Sequence, residues 1–416
     1  MSDFKLTFIL KQHTPIIHFQ HDQHGATLRA TEVKPKLDRF LIEHAFGGIL
    51  NFDAYKDFLI GDINVIEKKL KEIDSDKEKE KFLKKQKLAF DYKLKIKKIF
   101  KNEKSGDTIL IPPVKDKWLI SEGVQITITS FNKELLLKIK NQQNKPSQLL
   151  IDFFNINNFG KRASKGFGAF YYEEVNEKKF KNSISRYYNT RVFVNNNMLS
   201  REPFDDRNPV FFYKKLFSEW SRLKSGKNFN ENYEKSRIFK YLKEKKLRWE
   251  KRWIKKKLKK LINEGTLPHD LRYDHDPIDI NDNNTWEDIG NEEYRYGRAI
   301  LGLAELYEYQ TVARNYKYQV IVNGGDVERF KSPITFKIFN KTVYALIENL
   351  TEKEKNKFLS SSFRFSVQKK RKNGRDWVKE GRPIPIEGTI ITPNENEFNI
   401  LEFSKNYLQD ISFHLF

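Results

Sequence analysis

The chain contains no cysteine. Disulfides, zinc–thiolate centres and iron–sulfur clusters are therefore excluded. No apolar run approaches the ~20 residues that a bilayer span needs. The opening, Met1-Ser2-Asp3-Phe4-Lys5, lacks the charged-then-apolar order of a secretory leader. A soluble, cytoplasmic protein with no membrane partner is the expectation. No P-loop and no dinucleotide fingerprint is present, and the pair Gly324-Gly325 reads as a turn. Acid is scarce as well: 56 Asp+Glu face 78 Lys+Arg, a formal net charge of +22.

Such an excess favours polyanionic partners, nucleic acid before an anionic membrane surface. The chain is also heavy in Lys, Asn, Ile, Phe and Tyr, the bias of an AT-rich genome. That bias explains Lys in place of Arg, but not why bases outnumber acids. At 416 residues the chain is too long for one small core, and two domains are expected. Its 34 Phe and 18 Tyr supply the apolar material for both.

The first half alternates strand and helix patterns. Phe4 to Leu10 alternates as a strand, and Val33, Leu37, Phe40, Leu41 and Ala45 fall at helical spacing before Gly47-Gly48. A charged helical insertion spans about 62–104. Tyr92 to Ile96, Val124 to Ile128 and Leu135 to Ile139 read as strands. Ser147 to Phe154 reads as a helix with Ser147 near its N-cap, followed by a glycine-rich loop and an aromatic strand over 167–174. The order β-α-β-β-α-β predicts an α+β, ferredoxin-like (RRM-like) domain over residues 1–180. Residues 181–416 form a second, more decorated domain, for which the same fold is expected. There, 206–263 reads as mostly helical, 274–294 as an acidic loop, and Tyr318 to Val322, Ile334 to Ile338 and Phe363 to Val367 as strands.

The loop Gly160-Lys161-Arg162-Ala163-Ser164-Lys165-Gly166-Phe167-Gly168 is the most informative stretch. Glycines admit close backbone approach and positive φ. Successive amides with Lys161, Arg162 and Lys165 would form an anion-binding concavity. The alternative is a glycine-rich turn with solvated lysines. Arg29, Lys34, Lys36 and Arg39 flank an expected helix start, with Pro35 in the first turn, and a helix N-terminus favours anions. The helix drawn from Glu244 to Lys260 places Leu247, Ile254, Leu258 and Leu261 on one side. Trp249 and Trp253 then face away among Arg252, Lys256 and Lys260, as cations and rings for RNA or as rings packed on a neighbour. His13, His18, His21 and His24 cluster with Asp22, either as acid–base or metal groups or as a polar loop; their spacing matches no metal motif. No nucleophile–base constellation, resident metal or cofactor is read from the sequence.

Three segments in order resemble the RAMP superfamily of CRISPR effector proteins, and within it the first RAMP subunit of the Cmr (type III-B) complexes. They are Leu28-Arg29 with Lys34-Pro35-Lys36-Leu37, the loop 160–168, and Arg329-Phe330-Lys331-Ser332-Pro333 leading into a strand, preceded by Leu301-Gly302-Leu303. The resemblance implies two ferredoxin-like domains and a non-catalytic subunit of an antiviral ribonucleoprotein. Its partners would be the guide RNA (crRNA), other RAMP subunits and, as a further candidate, target RNA. It would cap the filament near the guide's 3′ end. A second class is implied by other RAMP proteins, metal-independent endoribonucleases that process guide precursors, often with histidine.

Overall fold

A computed structural model describes residues 4–17, 27–99, 108–111, 114–196, 209–229, 232–272, 293–302, 307–325, 332–340, 342–348, 350, 355, 359–374, 376–411 and 413–416. The chain forms two compact units, Met1–Val192 with Phe336–Tyr344, and Phe193–Thr335 with Ala345–Phe416. The class is α+β.

The first unit is built on four antiparallel strands, β1 (Lys5–Gln12), β2 (Lys93–Ile99), β3 (Gly123–Thr129) and β4 (Phe170–Tyr172), in the spatial order β2-β3-β1-β4. Alternation in β1 sends Leu6, Phe8 and Leu10 inward and Lys5 and Lys11 outward. In β3, Ile128 pairs with Leu6 and Leu94, Ile126 with Phe8 and Ile96, and Val124 with Leu10. That register lines one face with branched apolar side chains. Helix α1 (Ala30–Ala45) covers the face with Val33, Leu37 and Leu41, all fully buried. Its end is set by Gly47 and Gly48, both at positive φ.

Two expectations fail in this unit. Leu135 to Ile139 is helix, not strand: α2 spans Lys133–Ile139, and the Asn132 side chain accepts from the Leu135 amide at 3.0 Å. Leu135, Leu136 and Ile139 bury at helical spacing. Pro35 lies at the sixth residue of α1, not in its first turn, because the helix opens at Ala30. The carbonyl of Thr31, which Pro35 cannot serve, belongs to an exposed residue, where the missing helical hydrogen bond costs least. Helix α3 (Gln148–Ile156) opens on Ser147, whose hydroxyl accepts from the Leu150 amide at 3.3 Å. It packs on α4 (Glu177–Tyr188), where buried Asp152 takes hydrogen bonds from Gln148, Ser183 and Arg186. The charged insertion contains two helices, Ile63–Lys71 and Asp76–Leu83.

The second unit carries α5 (Arg237–Glu244) and α6 (Glu250–Asn263) against a larger sheet. Its main strands are β5 (Tyr307–Gln310), β6 (Tyr316–Gly325), β7 (Ser362–Asn373), β8 (Asp376–Lys379) and β9 (Ile384–Ile391). The spatial order is β9-β7-β6-β5, with the two-residue strands 248–249 and 294–295 beyond β9 and β8 pairing off β7. Trp253, Ile254, Leu258 and Ile262 of α6 bury against Tyr318, Val320, Phe363, Phe365 and Val367 of the sheet. Gly324 and Gly325 are not a turn: they belong to β6, where a register shift between Val322 and Gly325 makes a bulge at positive-φ Gly324. The acidic stretch 274–292 lies outside the described residues.

Candidate nucleic-acid interface

The loop after α3 is tied by hydrogen bonds to residues elsewhere in the first unit. Asn158 is its anchor: its Nδ2 donates to the carbonyls of Ala163 (2.7 Å) and Phe336 (2.8 Å). The Phe336 amide donates to Ser164 O (2.9 Å), and the Lys161 amide to Ile17 O (3.0 Å). The Gly168 amide donates to Pro15 O (2.8 Å), and the Ala169 amide to Thr14 Oγ1 (2.7 Å). Two sequence-distant segments, residues 14–17 and Phe336, together with Asn158 therefore fix one short turn.

Two glycines are required by crowding. A Cβ on Gly160 would lie 2.7 Å from Ile16 Cγ1 and 2.8 Å from Ile17 O; on Gly168 it would lie 1.9 Å from Phe159 O. Both have positive φ, as does Arg162 at +57°. A non-glycine residue in that region is held there by its surroundings.

This geometry changes the role expected for the backbone. The amides of 159, 160, 161, 165, 166 and 168 all donate inside the protein, that of Gly160 to Glu32 Oε1 at 2.8 Å. Those six cannot also cradle a phosphate. The loop also presents charge: Lys161, Arg162 and Lys165 stand half-exposed on a tightly tied turn. Phe167 is completely buried and Gly166 is buried, which corrects their place in the candidate interface. The Phe167 ring is core and cannot stack on a base.

The cations of α1 divide. Arg29 is the N-cap residue and half-exposed, and Arg39 is exposed. Lys34 and Lys36 turn into the protein instead of surrounding the helix start. Lys36 Nζ donates to Glu32 (2.9 Å) and to Asn158 O (3.2 Å), above the Phe159 ring. Lys34 donates to Asp38 (3.0 Å) and Phe90 O (2.8 Å), 3.9 Å from the Tyr92 ring centre. Burial pushes the Asp38 carboxyl up against the opposing pull of Lys34. Both lysines thus tie α1 to its neighbours. Glu32, which joins Lys36 to the Gly160 amide, had no sequence signal beyond its place four residues before Lys36.

Lys337 is a further tie that sequence reasoning missed, although it follows the Ser332-Pro333 motif. It is fully buried and donates to Asn157 O (2.7 Å) and Phe154 O (3.3 Å), at the C-terminal end of α3. Burial drives its ammonium well below the ordinary lysine range, and the Lys36 charge adds to this. His13 stacks on Phe339 and meets Tyr171 edge-on. Burial first, then the Lys337 charge, lowers its pKa to about 4. His18, His21 and His24 lie outside the described residues, as do Leu303, Arg329 and Lys331.

In the second unit the helix expected from Glu244 is broken. Helix α5 ends at Glu244, Lys246 turns at φ +58°, and α6 begins at Glu250. That break takes Trp249 off the helix, while Trp253 belongs to the buried face of α6. Trp249 packs edge-on against Phe239 at 4.8 Å, and Trp253 packs on Phe365. Both rings are buried, so they are not a base-stacking face. Buried Glu250 closes this corner by accepting from Arg298 (2.9 Å), Tyr307 (2.7 Å) and the Gly297 amide (3.1 Å). Arg252, Lys256, Lys259 and Lys260 remain on the exposed side of α6.

Compared with known families, the chain matches the Cmr1 N-terminal domain over residues 3–227 and the Cmr1 C-terminal domain over residues 233–415. No curated protein matches it.

Proposed function

The chain belongs to the Cmr1 family and is a subunit of a type III-B Cmr complex, and on that premise we propose that it is a non-catalytic RNA-binding subunit. It holds the guide RNA through phosphate contacts and caps the filament near the guide's 3′ end, with the other RAMP subunits beside it. The observation that carries the reading is the turn 161–165. Three cationic side chains stand within five residues, on a backbone whose amides and carbonyls are tied to Ile17, Glu32 and Phe336. A rigid mount lowers the entropy lost when those side chains engage a phosphate. Arg29 and Arg39 extend the same chemistry, and Arg252, Lys256 and Lys260 of α6 supply a second basic face. The net charge of +22 makes attraction to a polyanion the dominant long-range force.

His13 supports the non-catalytic side of this reading. With its pKa near 4 and its ring wedged between Tyr171 and Phe339, it is poorly placed to shuttle protons at neutral pH. The test uses the full chain and end-labelled repeat-containing RNA in EDTA, over a salt series. The RNA is expected to stay intact. Log affinity is expected to fall against log salt by roughly 0.7 per phosphate neutralised. Metal-independent cleavage, or a flat salt profile, overturns the proposal.

A further inference from the structure

The second unit carries a basic surface that is visible only from strand register. Lys317 of β6 lies directly opposite Lys370 of β7, and Lys370 lies directly opposite Lys379 of β8. Three lysines thus stand in one row across three adjacent strands. Directly opposed residues share a face of the sheet, so all three side chains leave on the same side. Two residues along β7, Lys372 pairs with Trp377 on that same side, and Lys317 Nζ lies 4.8 Å from the Trp377 ring centre. Lys372 and Lys379 are exposed, and Lys370 and Trp377 are half-exposed.

A lysine row of this kind costs stability, because like charges directly opposite one another in a sheet repel. Burial and the charges of Lys317 and Lys379 pull the Lys370 ammonium below its usual range, against the opposing effect of Glu308. Acids were available to neutralise the row, yet those of the hairpin leave on the other side. Glu380 pairs there with Lys369 at 2.7 Å, and Asp376 alternates to that side as well. Glu308, 3.1 Å from Lys317, is the one acid of β5 to reach the cationic side. Glu308 thus meets Lys317, at one end of the row, while the acids of the β7–β8 hairpin lie on the opposite face from Lys370, Lys372 and Lys379.

We propose that Lys370, Lys372 and Lys379, with Trp377 beside them, form a second phosphate-binding surface for single-stranded RNA. The site rests on the RNA-binding reading above and extends it to the β7–β8 ribbon. The cations neutralise successive phosphates and relieve their own repulsion, and the indole edge offers a surface for a ribose or base.

The test compares the full chain with a Lys370→Gln/Lys372→Gln/Lys379→Gln variant, using labelled oligo(U) RNA over a salt series. If each lysine meets one phosphate, the slope of log affinity against log salt becomes shallower by about 2. Affinity near 0.1 M salt then weakens by up to about 100-fold. Thermal stability is expected to hold or rise, because the repulsive row is gone. Should the triple variant misfold, Lys372→Gln alone, at an exposed position, is expected to lower the slope by about 0.7. An unchanged slope overturns the inference while leaving the loop's role standing. So does a variant that keeps its RNA slope but no longer joins the other protein subunits, which would make the ribbon a dock for an acidic protein. Failure of the unaltered chain to bind RNA at all overturns both readings.

Discussion

Gly168→Ala probes the turn that carries the proposed interface. Gly168 sits at φ +69°, with the Phe159 carbonyl oxygen 1.9 Å from where a Cβ would go. A left-handed alanine costs about 1–2 kcal/mol by itself. The carbonyl must also retreat by roughly 1 Å or more to reach ordinary contact. That retreat strains the Phe159 amide bond to Gly168 O (3.0 Å) and the Gly168 amide bond to Pro15 O (2.8 Å). Each such bond is worth about 1 kcal/mol net. The sum is about 3–4 kcal/mol, on the order of 10 °C in the melting of a unit this size. Gly265→Ala is a matched control: its φ is +71°, and nothing lies within 4 Å of its Cβ position. It should lose only the conformational part, about 1–2 kcal/mol. Melting curves of both variants beside wild type make the comparison. Equal losses would show that the crowding at Phe159 O is not what makes Gly168 necessary.

Two further outcomes follow from the packing. The folded-state pKa of His13 is about 4, below the value of about 6.5 expected when unfolded, so the unfolded chain binds more protons between these values. Its contribution is fully present above about pH 6.5 and is lost as pH falls towards 4, by up to about 3 kcal/mol. His13→Phe should flatten that part of the stability–pH profile in urea titrations, and an identical profile would contradict the burial argument. Trp253→Ala should cost about 3–5 kcal/mol as a core truncation while leaving the RNA salt slope of the folded protein unchanged. A variant with wild-type melting but weakened RNA binding would return Trp253 to the interface.

Local periodicity carried much of the first unit. The alternation of Leu6, Phe8 and Leu10, the helical spacing from Val33 to Ala45 and the Ser147 cap were all legible in the sequence. Leu135-Leu136-Leu137 was not, because consecutive apolar residues carry no period; Asn132, three residues before Leu135, was the usable sign. The tryptophan pair was misplaced for a related reason. The break at Lys246 takes Leu247 and Trp249 off the helix, so the seam drawn through Leu247 was wrong; the buried face of α6 runs through Glu250, Trp253, Ile254, Leu258 and Ile262 and is wide enough to include the Trp253 ring. Phe167 is buried although no local pattern marks it, in a loop tied by hydrogen bonds to Thr14, Pro15 and Phe336. The loop's cations were legible as a cluster, but their mount was not. Asn158, Glu32 and Lys337 act across 122 to 180 residues of sequence or more. The Lys317–Lys370–Lys379 row is likewise a product of register, and composition alone cannot align it.

The most direct test of the account is RNA affinity and melting of Lys161→Ala/Arg162→Ala/Lys165→Ala beside wild type. Surface charges contribute little to stability, within about 0.5 kcal/mol each, so the melting temperature should barely move. Guide-RNA affinity should weaken, with a salt slope shallower by about 2 if all three side chains meet phosphates. Unchanged affinity at low salt, in a variant that melts like wild type, would contradict the claim that this turn grips RNA.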